Sequence, residues 1–168
     1  IVPDKLKIAK VCPIFKGGNK NLITNYRPIA VLPSFSKIFE KAVHLRLTSF
    51  LSLNNVISDN QFGFRSHHST CMAVLNMCDN ISKSIDKNEF AIGVFIDLAK
   101  AFDSLDHNIL LNKLNHYGVR GITLSWFESY LSDRFQYVKW NECSFSIKPI
   151  YFGIPQGYIL GPLLFIIY

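Results

Sequence analysis

Three aspartates fall within ten positions of the stretch FIDLAKAFDSLDH (95–107), and their setting is what makes them notable. Asp97 closes FAIGVFID (90–97), a segment with the length and near-continuous apolarity of a buried strand. An unpaired carboxylate in apolar surroundings costs several kcal/mol or takes up a proton. Two readings of Asp97 are open from spacing alone. It is a strand-end acid facing water or capping a backbone group, or one of a cluster that holds a divalent cation through hard oxygen ligands. Asp103 and Asp106 precede a helical pattern. There, Asp103 as N-cap and Asp106 in the first turn would satisfy orphan amides and the helix dipole. His107, beside them, reads as a polar helix-surface residue.

Other stretches carry weaker chemistry. PIFKGGNKNLITNYRP sets Lys10, Lys16, Lys20 and Arg27 on or near one hairpin, which reads either as a solvated edge or as cations for phosphates. GIPQGYILGP has glycines but no Lys-Ser/Thr, so it is no phosphate-binding P-loop; alone it is a tight turn with one polar side chain. DLAKAF lacks the second Asp, two places on, of a phospho-aspartyl phosphatase. Cys12, Cys71, Cys78 and Cys143 form no CxxC pair, which argues against a zinc ribbon or a thioredoxin-type motif. Cys71 and Cys78 lie two helical turns apart on the apolar face of Val74 and Leu75. They read as buried reduced thiols in a reducing intracellular compartment, and not as zinc ligands with His67 and His68.

The elements that must position these residues follow from periodicity. KIAKVCPIF (7–15), KGGNKN (16–21) and YRPIAVL (26–32) read as a hairpin whose Pro28 belongs to an edge or irregular position. From Ser36 to about Leu53, Ile38, Phe39, Val43, Leu47, Phe50 and Leu51 recur at helical spacing. A polar linker (54–69) leads to a second helix with the stripe Met72, Leu75, Cys78, Ile81 and Ile85. Helical patterns at 107–117 and 122–132 are followed by the strand pair RFQYVKW (134–140) and FSIKPIYF (145–152), joined by NECS. GIPQG (153–157) turns into YILGPLLFIIY, which starts a helix. The sum is an α+β domain.

The chain has 168 residues, 49% hydrophobic and 18% charged, enough to bury a core and unlike a disordered composition. Its net charge of +6 suits a polyanionic partner such as nucleic acid. No signal peptide begins it, and the apolar tail LGPLLFIIY is too short to span a bilayer. It starts without Met and stops in that apolar run, so it reads as an internal fragment.

Taken in order, PIFKGG…NYRPIAVLP, QFGFRSHHST, FIDLAKAFDSLDH and GIPQGYILGPLLF resemble the reverse transcriptase domain of non-LTR (LINE-type) retrotransposons, from about Lys7 to Tyr168. The resemblance implies a right-hand polymerase that copies RNA into DNA with two Mg2+ ions. Its partners would be an RNA template, a DNA primer and deoxynucleoside triphosphates, with no membrane, and its site of action nuclear. Residues 1–88 would be a fingers-like segment and 89–168 a partial palm, with the C-terminal palm and the thumb absent.

Carried over by position, Asp97 resembles the first metal-binding aspartate and Leu98 the residue whose backbone carbonyl reaches a metal. Phe102 resembles the aromatic gate that crowds a ribose 2′-hydroxyl; read without the resemblance it is a core Phe. Gln156 and Gly157 resemble the loop against the incoming nucleotide, and Lys16 and Arg27 the cations that grip its triphosphate. Gln61, Phe64 and Arg65 resemble a segment near the template. The family usually has Ser where this chain has Tyr158, which would either crowd the nucleotide loop or turn away. The family's ADD motif, carrying the other two catalytic aspartates, is not within these residues, so the isolated chain is expected to be inactive. A degenerate transposon remnant and a noncatalytic nucleic-acid scaffold are the rival readings.

Overall fold

The computed structural model describes residues 1–154 and 156–168; Pro155, in the GIPQG turn, lies outside the described residues. Strands β1 (Ile8–Phe15) and β2 (Tyr26–Val31) form the expected antiparallel hairpin, in the register Val11↔Ala30, Pro13↔Pro28 and Phe15↔Tyr26. β2 is an edge strand, and this is what tolerates Pro28, which has no amide to donate to a second neighbour. Gly17 and Gly18 take φ of 133° and 89° in the connection, a turn conformation that side chains resist.

Helices α1 (Ser34–Leu53) and α2 (Thr70–Asp86) follow, then α3 (His107–His116) and α4 (Ile122–Leu131). β3 (Arg134–Trp140) runs parallel to β1, with Ile8↔Phe135 and Val11↔Val138, so the second half of the chain returns to the first-half hairpin. Of the strand expected at 145–152 only residues 148–150 form one, and a two-residue strand falls in the expected NECS connection. β4 (Cys143–Ser144) closes a short hairpin on the end of β3, and β5 (Lys148–Ile150) pairs with its start. Helix α5 (Gly161–Ile167) completes the chain, with Pro162 in its first turn, where a missing amide costs nothing. The architecture is a mixed sheet with packed helices, the α+β class expected.

The core lies where α1, α3, α4 and α5 meet the base of the sheet. Leu51, Leu105, Leu110, Leu114, Phe127 and Leu164 are wholly inaccessible there. Burying Phe127 alone is worth about 1.5–3 kcal/mol. The inward face of α1 follows its apolar periodicity in part, since Val43, Leu47, Phe50 and Leu51 pack into the core. Ile38 and Phe39 are exposed, whereas Ser36 and Glu40 are buried with Leu47 and Leu51. Polar partners drew those two inward: Ser36 Oγ donates to the Leu6 carbonyl at 3.1 Å, and Glu40 accepts two hydrogen bonds.

Two further expectations are corrected. The buried strand at 90–97 does not form. Phe90, Ile92, Val94, Phe95 and Ile96 are between 79% and 97% exposed, and no strand pairs with them among the described residues. An apolar run of strand length states which surroundings the segment needs, and the described residues supply no sheet beside it. Cys71 and Cys78 are free but exposed, as are Met72, Leu75, Ile81 and Ile85, and no residue of α2 is buried. α2 keeps its helix through an N-cap, Ser69 Oγ accepting from the Met72 amide at 3.3 Å, and through Lys83–Asp79 at i,i+4. No helix among the described residues is long and apolar enough to cross a membrane.

Candidate active site

The GIPQG turn is held on both sides by backbone. The Gly153 amide donates to the Leu105 carbonyl at 2.7 Å, and the Ile154 amide donates to Phe102 at 2.8 Å. On the other side the Ala30 amide of β2 donates to the Gln156 carbonyl at 2.7 Å. The turn therefore ties the strand carrying Arg27 to the segment that follows Asp97. Two glycines make such close approach possible. A Cβ on Gly153 would lie 2.6 Å from the Asp103 Cα, and one on Gly157 would lie 2.4 Å from the Ala30 carbonyl oxygen. Both have positive φ, 76° and 110°. Gly153→Ala or Gly157→Ala is thus expected to cost about 2–4 kcal/mol, since backbone must shift as well as strain. Urea melts of each variant against the parent measure this; a loss under 1 kcal/mol would contradict the clash.

His107 adds a side-chain clamp. Its Nε2 lies 2.9 Å from the Gly153 carbonyl, a bond that requires Nε2–H as donor. It is half-buried, and so differs from the surface residue expected of the sequence. The cap assignment also moves: Asp106, not Asp103, is the N-cap of α3, accepting from the Asn108 and Ile109 amides at 2.8 and 3.0 Å. Asp103 instead lines a cleft of about 330 Å3 with Gln156, Gly153, Gln136, Pro28 and Ala30.

Phe102 is half-buried in an aromatic row. Its ring lies 4.9 Å from Phe165 and 6.1 Å, edge-on, from Phe64. The structure thus brings the QFGFR segment to the residue that resembles the gate. Phe64 sits at φ 57°. Arg65 and Gln61 hold this loop together: Arg65 donates to the Ser58 carbonyl at 2.8 Å and Gln61 to Gly63 at 3.0 Å. Lys16 and Arg27 are both exposed. Asp97 and Leu98 lie on the exposed 90–98 segment. Asp97 makes no hydrogen bond or ion pair among the described residues, so it caps nothing there.

The donor chemistry of the site falls short of a metal pair. Among the described residues no three His, Cys, Asp or Glu side chains converge. Asp97 is a hard oxygen donor of the right kind, but one carboxylate cannot position two magnesium ions. These residues by themselves do not fit a complete two-ion site.

A buried polar network behind the turn was missed in the sequence. Glu40 of α1, 1% exposed, accepts from the Tyr130 hydroxyl at 2.8 Å and from the Ile159 amide at 2.6 Å. Arg134, 3% exposed, donates to the Tyr130 carbonyl at 2.7 Å and the Tyr158 hydroxyl at 3.1 Å. Its guanidinium lies 4.7 Å from the centre of each tyrosine ring. The signal available was Glu40 interrupting the apolar run of α1. Tyr158, the departure from the family pattern, is buried in this network and turned away from the Gln156 cleft.

Burial raises the pKa of Tyr130 well above the usual 10, with the Glu40 charge adding to it; burial likewise raises Tyr158, against the opposing pull of Arg134. A folded-state pKa above the unfolded value means that folding favours the protonated phenol. That stability is fully present below about pH 10 and is lost as pH rises through the folded values. Unfolding free energy should therefore fall steeply above about pH 10. Tyr130→Phe should flatten that fall in alkaline denaturation, and an unchanged slope would contradict the assignment.

Residues 14–168 match the model of the family described as reverse transcriptase (RNA-dependent DNA polymerase). The chain is 35% identical over 99% of its length to the probable RNA-directed DNA polymerase from transposon BS of Drosophila melanogaster. It is 33% identical over 99% to the RNA-directed DNA polymerase from mobile element jockey, and 30% over 99% to the probable RNA-directed DNA polymerase from transposon X-element, both of Drosophila melanogaster. It spans 18% of the length of each of these relatives.

Proposed function

Because the chain belongs to the reverse transcriptase (RNA-dependent DNA polymerase) family, we propose that it supplies the nucleotide-facing part of a non-LTR retrotransposon polymerase. Residues 1–88 form the fingers and 89–168 the first part of the palm. The reaction is transfer of a deoxynucleotide from its triphosphate to a DNA primer 3′-end, directed by an RNA template, at a nuclear site of action. The observation that carries this reading is the backbone clamp on the GIPQG turn, which binds β2 to the segment just after Asp97.

In this reading Lys16 and Arg27 meet the triphosphate, and Gln156 and Gly157 form the floor beneath the incoming nucleotide. Phe102 crowds the 2′ position of its sugar, while Gln61, Phe64 and Arg65 stand near the template. When bound, a magnesium pair offsets the charge that develops on the attacking and leaving oxygens. Asp97 and the Leu98 carbonyl would supply oxygen donors toward such a pair, which needs more carboxylates than the described residues bring together. What the chain itself supplies is positioning, the main protein contribution to phosphoryl transfer.

The test is primer extension on an RNA template with magnesium and deoxynucleotides. The protein in its full length should incorporate them, and the 168-residue chain alone should not. Absence of RNA-templated extension by the full-length protein would leave a nucleic-acid scaffold as the better description, and incorporation by the isolated chain would refute the divided site.

A further inference from the structure

The hydrogen bond from His107 Nε2 to the Gly153 carbonyl spans 46 positions of the chain. Among the described residues, His107 is the one side chain that hydrogen-bonds the backbone of 153–157. It grips a peptide already held from its other end, where the Gly153 amide donates to Leu105; the Ile154 amide then donates to Phe102. Three bonds from residues 102–107 therefore fix the first two residues of the turn. Gly153 and Ile154 are buried, whereas Gln156 is half-buried and Gly157 exposed. The turn is thus anchored at its start and accessible at Gln156 and Gly157.

The His107 bond differs from its two backbone neighbours in having space for water on either side. Gly153 lines the cleft of about 330 Å3 that holds Gln156 and Asp103. His107 lines a separate cavity of about 310 Å3 with Ser132, Asp133 and Tyr151. Water entering from either space would satisfy the Gly153 carbonyl if the ring donor were removed. A water follows the carbonyl as it moves. A ring set in the first turn of α3, whose start is capped by Asp106, does not. The bond accordingly governs where the turn stands more than whether the chain folds.

We propose that His107 is a positioning residue for the incoming deoxynucleotide: its Nε2–H sets the spacing between Phe102 and the floor formed by Gln156 and Gly157. The inference rests on the reverse transcriptase reading above. His107 acts through the turn and touches no reacting atom. Floor contacts hold the nucleotide alike in the ground state and the transition state, so loosening them raises KM and leaves kcat near its parental value. A purely structural role would do the opposite, lowering the fraction of active protein, and with it the apparent kcat, at unchanged KM.

The test is steady-state primer extension by the full-length protein on an RNA template with magnesium, at varied deoxynucleotide concentration. His107→Phe keeps a ring and removes the donor. It should raise KM for the deoxynucleotide about tenfold, with kcat within about threefold of the parent. His107→Gln returns an N–H donor near the Nε2 position and should bring KM back to within about threefold of the parent. Affinity for the template–primer duplex, read by fluorescence anisotropy, should be the same in all three proteins. A parental KM in His107→Phe, or a fall in kcat at unchanged KM, would overturn the proposal. So would a His107→Gln variant as impaired as His107→Phe. A full-length parent without RNA-templated extension would instead remove the reverse transcriptase reading, and this inference with it.

Discussion

Asp97→Asn in the full-length protein is expected to lower RNA-templated primer extension by about a thousandfold or more, several kcal/mol of transition-state stabilisation. Its melting temperature should stay within a degree or two of the parent. The first expectation follows from the role proposed for Asp97: an amide keeps the shape of the side chain but loses the negative charge a divalent-cation ligand would supply. The second follows from the setting of Asp97. The side chain is exposed and makes no hydrogen bond or ion pair among the described residues, so the fold has little to lose. Surface substitutions of that kind stay within about 0.5 kcal/mol. Steady-state extension assays at saturating template, beside a calorimetric scan, separate the two effects. Extension at parental rates would remove Asp97 from the site, and a large fall in melting temperature would assign it a structural role instead.

Glu40→Ala carries the largest expected loss of stability, about 3–5 kcal/mol. Its carboxylate is the acceptor for two buried donors, the Tyr130 hydroxyl and the Ile159 amide. Removing it leaves both without a partner and leaves Arg134 buried with no acidic counterpart in the network. Against a total stability of about 5–15 kcal/mol, such a loss brings the protein close to unfolding at ordinary temperature. Tyr130→Phe removes one donor and keeps the carboxylate, and should cost only about 1–1.5 kcal/mol. Chemical denaturation of the two variants gives the ranking, and a Glu40→Ala cost no larger than that of Tyr130→Phe would refute the network as described. The consequence extends to function, because Ile159 lies three residues past Gln156 and anchors the far end of the turn.

How far the sequence could be read depended on the range of the interaction concerned. The β1–β2 hairpin, with Pro28 at an edge, and the spans of α1 to α4 came from periodicity and turn chemistry, which act between neighbours in the chain. The family motifs were legible for a similar reason: FIDLAKAFDSLDH and GIPQGYILGPLLF are short runs with characteristic residues. Errors arose where a residue's environment depends on distant partners. The periodicity of α1 pointed Ile38 and Phe39 inward, yet Glu40 is buried because Tyr130 and Ile159 come from far along the chain to meet it. Asp106 took the cap assigned to Asp103 because the chain from Lys100 to Ser104 is already turned and bonded to itself.

By itself the sequence determined the α+β class and the family, since the first follows from local periodicity and the second from short motifs in a fixed order. Tertiary structure alone decided that β3 would lie parallel to β1, that Gly153 and Gly157 would press against Asp103 and Ala30, and that Tyr158 would face Arg134 and leave the cleft clear. It also decided that the apolar run at 90–97 would stay exposed. Local pattern specifies what each segment needs. Only the packed chain settles whether another segment is there to meet that need.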